Sequence, residues 1–250
     1  MRTRLRLEMQ SQPDDTSCGP TCLHAVYQYF DDKISLDQVI KEVPMLEGGG
    51  TLAVHLACHA LRRGYEAKIY TYNLHVFDPT WFNLSRNEFA NRLRKQMLHK
   101  LVPKLHLATK AYLEFIKRGG QLCFEDLSTS LLRRYLKSST PILTGLSSTF
   151  LYASPRETAD NIFDDIEGEP AGHFVVVLGY DKKKQNVLVA DPLLPNPFAK
   201  TNQYEVGIDR LVCSILLGIL TYDANFLVIT PKKGRTKTKP VKKPKTLKRK

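Results

Sequence analysis

Gln12-Pro13-Asp14-Asp15-Thr16-Ser17-Cys18-Gly19-Pro20-Thr21-Cys22 sets a carboxamide six residues ahead of a thiol. From Cys18 onward, apolar side chains recur at Cys22, Ala25, Val26, Tyr29 and Phe30, the spacing of one helical face. Pro20 falls in the first turn, where a missing N–H is no loss. Cys18 therefore opens a helix. A helix N-terminus carries partial positive charge and favours loss of a thiol proton. The Gln12 amide and the Cys18 N–H can together hold a developing oxyanion. The stretch points to acyl chemistry on sulfur.

Such a nucleophile needs a base, and the chain offers one far downstream. His173 begins the run Gly172-His-Phe-Val-Val-Val-Leu-Gly-Tyr180, and Asp191 ends the next one, Asn186 to Ala190. The intervening Asp181-Lys-Lys-Lys-Gln185 reads as the turn of a hairpin. Antiparallel strands joined in this way bring His173 and Asp191 side by side, so the carboxylate can orient the ring and favour its charged form. The residues themselves thus assemble a candidate site: Cys18 as thiolate, His173 as general acid and base, Asp191 as orienter and Gln12 as oxyanion donor.

Gln12…Asp15-Thr-Ser-Cys18-Gly19…Cys22, Gly172-His173-Phe-Val-Val-Val and Ala190-Asp191-Pro192 resemble the three motifs of the bacteriocin-processing, double-glycine-leader cysteine peptidases. The segment Gly50-Thr51…Gly64-Tyr65-Glu66-Ala67 is similar to that family's loop, helix and strand. The resemblance implies a papain-like α+β fold, in which an N-terminal helix bearing the nucleophile packs on a C-terminal antiparallel sheet. It implies the same roles for Gln12, Cys18, His173 and Asp191, and cleavage of peptide or leader sequences after small residues such as glycine. The best-known members are fused to a membrane exporter and an ATPase, and this chain reads as a standalone relative. An acidic insertion, Glu157 to Glu169, precedes His173 and is placed to reshape the substrate groove.

Three rival readings follow from the same residues. Amines compete with water for an acyl-enzyme, so the thiol would also serve a transferase or a deamidase. A non-catalytic module holding peptides or nucleic acid is the alternative of another class. Metal binding is the weakest. Cys18, Cys22 and His24 lie close in sequence, and His55 and His59 share a helix face with Cys58, but Leu56 stands where a metallopeptidase helix needs glutamate. No cofactor is expected.

Composition sets the remaining bounds. The chain has 250 residues and a net charge of +12, yet eleven Lys or Arg and no acid fall in Lys232–Lys250, leaving about +1 elsewhere. We read residues 1–231 as the peptidase domain, with 77–137 its helical and least family-like part, and 232–250 as a disordered basic tail. Such a tail attracts nucleic acid or an anionic surface without sequence preference, or merely solubilises. The basic stretch from Arg86 to Arg118 reads as a solvated helix face. Five scattered cysteines fit reduced thiols and a cytoplasmic location. No signal peptide or transmembrane run is recognised, and the oligomeric state is left open.

Local patterns give the elements. Strands are expected at Arg4–Met9, Tyr65–Tyr72, Ile142–Leu146, His173–Tyr180, Asn186–Ala190 and Phe226–Thr230. Helices are expected from Cys18, at Asp37–Val43, at Leu52–Arg63 with Thr51 as cap, from Phe89 to Ile116 with a break at Pro103, at Phe124–Lys137 with Ser128 as cap, and at Asp209–Leu220.

Overall fold

The structure, a computed structural model, describes residues 2–232. The basic tail beyond Lys232, with its expected disorder and anionic partners, lies outside the described residues. In chain order the elements are β1 (Arg2–Arg4), α1 (Cys18–Tyr29), α2 (Leu36–Glu42), α3 (Ala53–Arg62), β2 (Tyr65–Thr71), α4 (Arg86–His99), α5 (Pro103–Lys117), β3 (Gln121–Cys123), α6 (Thr129–Lys137), β4 (Ile142–Ser147), α7 (Ser148–Tyr152), β5 (Gly172–Asp181), β6 (Asn186–Ala190), β7 (Gln203–Gly207), α8 (Ile208–Leu217) and β8 (Asn225–Pro231). Short 3-10 turns precede α4 and follow α8.

One sheet carries everything else. Its order is β3-β2-β8-β4-β5-β6-β7, with β1 added against β5. The pairs are antiparallel except β2 and β3, which run parallel, so the sheet is not wholly antiparallel as expected. β5 is buried along nearly its whole length, which is why it reads as an unbroken Phe-Val-Val-Val-Leu run rather than an alternating one. Along one flank it is paired first by β4 and then by β1. There Gly179 lies so close to β1 that a Cβ would strike the Thr3 carbonyl.

α1 lies on β5 and is buried on all sides from Cys18 to Tyr27, as befits a helix sunk between sheet and neighbours. Gly19 makes that approach possible. A Cβ there would stand 2.7 Å from Thr51 Cγ2 and 3.2 Å from Phe174 Cδ2. α3 has its amphipathic face on the sheet and ends at Gly64, whose φ of +82° a side chain would resist. The apolar faces of these helices and the sheet merge into one core cluster.

The pattern-based elements need five corrections. The N-terminal ladder covers Arg2–Arg4, not Arg4–Met9; beyond it only Leu5 N–H continues the pairing, to Leu178 O at 2.9 Å. Leu5 and Leu7 are nonetheless buried, as their alternation requires. Thr51 does not cap α3: its hydroxyl donates to Pro44 O at 2.7 Å, and Leu52 takes the cap position. The strand β3 and the helix α7 were not expected, nor was β7. Ser128 does cap α6, accepting from Leu131 N.

Candidate active site

Cys18 is the first residue of α1 and nearly buried. His173 is the second residue of β5, paired with Leu146 of β4. Asp191 follows β6, whose last residue Ala190 pairs with Val176 of β5. The hairpin thus sets imidazole and carboxylate on neighbouring strands, with Asp191 Oδ1 at 2.8 Å from His173 Nε2. That bond fixes Nε2 toward the carboxylate and leaves Nδ1 for a second partner. Cys18 lies near enough to the imidazole to help raise its pKa. Residues 155 positions apart in sequence meet at one end of β5.

Asp191 is held from every side. Leu193 N–H donates to Oδ1 at 2.9 Å, while Tyr152 and Tyr204 donate to Oδ2 at 2.5 and 2.7 Å. Its backbone is clamped too: Asp191 N–H donates to Asn202 O and Asn202 Nδ2 to Asp191 O, both at 2.8 Å. Burial pushes this carboxyl up, but the charge of His173 and the bonds from His173, Tyr152 and Tyr204 outweigh it and hold the pKa below the ordinary value. For His173 the same contest runs the other way. Burial opposes its charge, whereas the Asp191 carboxylate, its hydrogen bond and Cys18 raise the pKa to about 10. Burial, with the Asp191 charge second, pushes both tyrosine hydroxyls well above their ordinary range, so they remain neutral donors.

The turn before α1 places Gln12. Asp14 folds it into an Asx turn, its Oδ1 accepting from Thr16 N–H at 2.9 Å and the Thr16 hydroxyl at 2.8 Å. Gln12 Nε2 and Ser17 Oγ donate to the same Asp14 carbonyl at 2.9 and 3.3 Å, which sets the amide beside the residue preceding Cys18. Gln12 N–H also donates to Pro192 O at 2.9 Å and so ties this turn to the end of β6. All four residues singled out in the sequence therefore converge.

Tyr152, Tyr204 and the Leu193 N–H were missed. Tyr204 had a signal, because Gln203-Tyr-Glu-Val-Gly207 alternates buried and exposed positions as a strand does. Tyr152 had none: it comes from the five-residue α7, and only the fold brings it within 6.2 Å of the His173 ring. Glu157, in the acidic segment, interacts electrostatically with His173 and Asp15, and burial raises its pKa. That segment is closed by Glu157 and Glu169 exchanging backbone bonds at 3.0 and 2.8 Å.

The other thiols and imidazoles have different duties. Cys22 Sγ donates to Phe174 O at 3.2 Å, and burial raises its pKa far above the ordinary thiol value. His59 has both nitrogens engaged, with Tyr27 Oη at 2.7 Å and Glu42 Oε2 at 2.9 Å. His24 faces Gln28 at 3.1 Å on α1, away from Cys18 and Cys22 bonding. Among the described residues no group of three His, Cys, Asp or Glu is arranged to hold a metal ion, and all five cysteines are free. No helix of the described residues is long and apolar enough to cross a membrane.

The profile of the Peptidase_C39 like family matches residues 4–208. The chain belongs to that family. With it comes the class: this is a cysteine-type peptidase. Among solved structures, a C39-like peptidase from Bacillus anthracis is similar at 14% identity, over 93% of this chain and 98% of that one, with a TM-score of 0.51. A double-glycine-motif protease from an AMS/PCAT transporter, crystallised with the leader peptide, is 14% identical over 92% and 94% of the two chains, at a TM-score of 0.44. Xylellain, a cysteine protease from Xylella fastidiosa, is 14% identical over 92% and 85%, at 0.43. At 14% identity the likeness to the Bacillus anthracis peptidase concerns the fold alone. No curated protein matches.

Proposed function

We propose that the protein hydrolyses peptide bonds through Cys18, His173 and Asp191, with Gln12 completing an oxyanion hole. The observation that carries this reading is the bond from a buried, charge-bearing His173 to Asp191, with the opposite ring nitrogen left for Cys18. The Cys18 thiolate attacks the scissile carbonyl carbon, forming the C–S bond as the carbonyl electrons move onto oxygen. The Cys18 N–H and one Gln12 amide hydrogen, its other being bound to Asp14 O, hold that oxyanion. His173 gives its Nδ1 proton to the departing amine as the C–N bond breaks. It then takes a proton from water, whose oxygen displaces the sulfur and regenerates the thiolate.

The substrate reading is a peptide or leader segment cut after a small residue such as glycine, and it rests on the resemblance of the three motifs. Cys18→Ala is expected to abolish both cleavage and iodoacetamide labelling at low pH while leaving circular dichroism unchanged. Turnover retained in that variant removes Cys18 from the mechanism. Product masses with and without added amines separate hydrolysis from transfer, and hydrolysis predicts the free acid in both.

A further inference from the structure

Away from the Cys18 cleft, α3 and α5 pack together and leave an open groove of about 480 Å³ along their outer seam. His55, Cys58 and Arg62 line it from α3 at helical spacing, and Pro103, Leu107 and Lys110 from α5. Much of its lining is aliphatic: Pro44, Met45, Leu107 and Ala111. Its aromatic lining is two imidazoles, with no phenyl, phenol or indole ring, so a nucleobase finds no large stacking surface. The N-terminus of α5 borders it with Pro103, which has no N–H to give a phosphate.

Its polar groups carry an uneven charge. Glu114, the one acid, is bound by Arg118 at 2.6 Å. His106 Nε2 donates to Lys100 O at 2.7 Å and His55 Nδ1 to Pro44 O at 3.2 Å, which commits the donors of both rings. Burial lowers the His55 pKa and keeps that ring neutral. Arg62 reaches only the Glu42 carbonyl, at 3.4 Å, and neither it nor Lys110 forms an ion pair among the described residues. Two cations thus share the rim of an aliphatic trough. An anion there meets two positive charges while an attached chain covers the apolar lining. The volume suits one small ligand.

We infer that this groove binds an acyl carboxylate of medium chain length, its head group taken by Arg62 and Lys110 and its hydrocarbon laid over Met45, Leu107 and Ala111. The site is separate from the thiol chemistry and does not depend on it. Calorimetric titration of the full chain with decanoate tests it, with decanol and inorganic phosphate as controls for tail and charge. Saturable one-site binding is expected for decanoate, with both controls at least about tenfold weaker. The double variant Arg62→Gln/Lys110→Gln changes two exposed side chains. It should weaken decanoate about tenfold while circular dichroism and peptidase activity stay unchanged. Decanol binding as tightly as decanoate, equal affinity in the double variant, or no saturable binding at all overturns the assignment.

Discussion

Inside the cleft, His173 is buried and still basic, with a pKa raised from 6.5 to about 10. Because the folded value lies above the ordinary one, its protonated form stabilises the fold below pH 6.5, and that contribution fades as pH climbs toward 10. In the proposed mechanism cleavage uses the same proton for the leaving amine, so the alkaline limb of kcat/KM should fall near pH 10. Asp191→Asn removes the charge that sustains it. The limb is then expected to move toward neutral pH, with kcat reduced on the order of 10²-fold or more. A pH–rate profile that keeps its alkaline limb in that variant contradicts the electrostatic account. Tyr204→Phe takes one donor from the carboxylate and should lower kcat about tenfold with KM little changed, the usual size of a hydrogen bond to a charged group. The four candidate positions, Gln12, Cys18, His173 and Asp191, were legible because the proposed chemistry asks for these residue types and the resemblance of the three motifs supplies their order. The supporting tyrosines were not, since a phenol in a strand or short helix looks like any other core residue until its neighbours are known.

Among the elements, α1 and the segment preceding β5 make opposite demands. α1 must approach β5 closely, and Gly19 is where it does so. Gly19→Ala forces its Cβ against Thr51 and Phe174, and a loss of about 1–3 kcal/mol in urea unfolding is expected, with activity falling beyond what stability explains. A neutral effect would mean that α1 has slack. The acidic segment is held more lightly, by backbone bonds and by Arg156, whose Nη2 donates to Asp165 O and Ile166 O. Arg156→Ala should expose residues 157–169 to limited proteolysis while the rest of the chain resists it. Helix bounds were readable from caps and breakers, as Ser128, Pro103 and Gly64 illustrate. Thr51 misled because α3 starts one residue later than a Thr51 cap requires: Leu52 holds the cap position, and the Thr51 hydroxyl is turned to Pro44 O. β3, three residues long, falls below what alternation can reveal. It exists because β2 offers it an edge.

The assembled molecule places a second titratable group in its core. Asp223 is buried between the start of α3 and β4, and burial raises its pKa from 3.8 to about 7 against the Ala53 N–H, Lys104 and Asn225. A raised carboxyl favours the protonated fold, so its contribution is complete below pH 3.8 and is lost as pH rises to 7. Asp223→Asn should therefore flatten the decline of the urea midpoint between those values. An unchanged slope would assign the pH dependence elsewhere. The global topology was the least legible level, since strand order depends on which edges remain open after the core has formed and leaves no local trace. One long-range tie remains: the Gln12 N–H to Pro192 O bond joins the entry turn to the chain just past Asp191. Substitutions on its two sides should then show epistasis, with losses from altering Gln12 and Asp191 failing to add by more than about 0.5 kcal/mol in a double-mutant cycle. Lineages that remodel one segment would have to retune the other, so the two must drift in step.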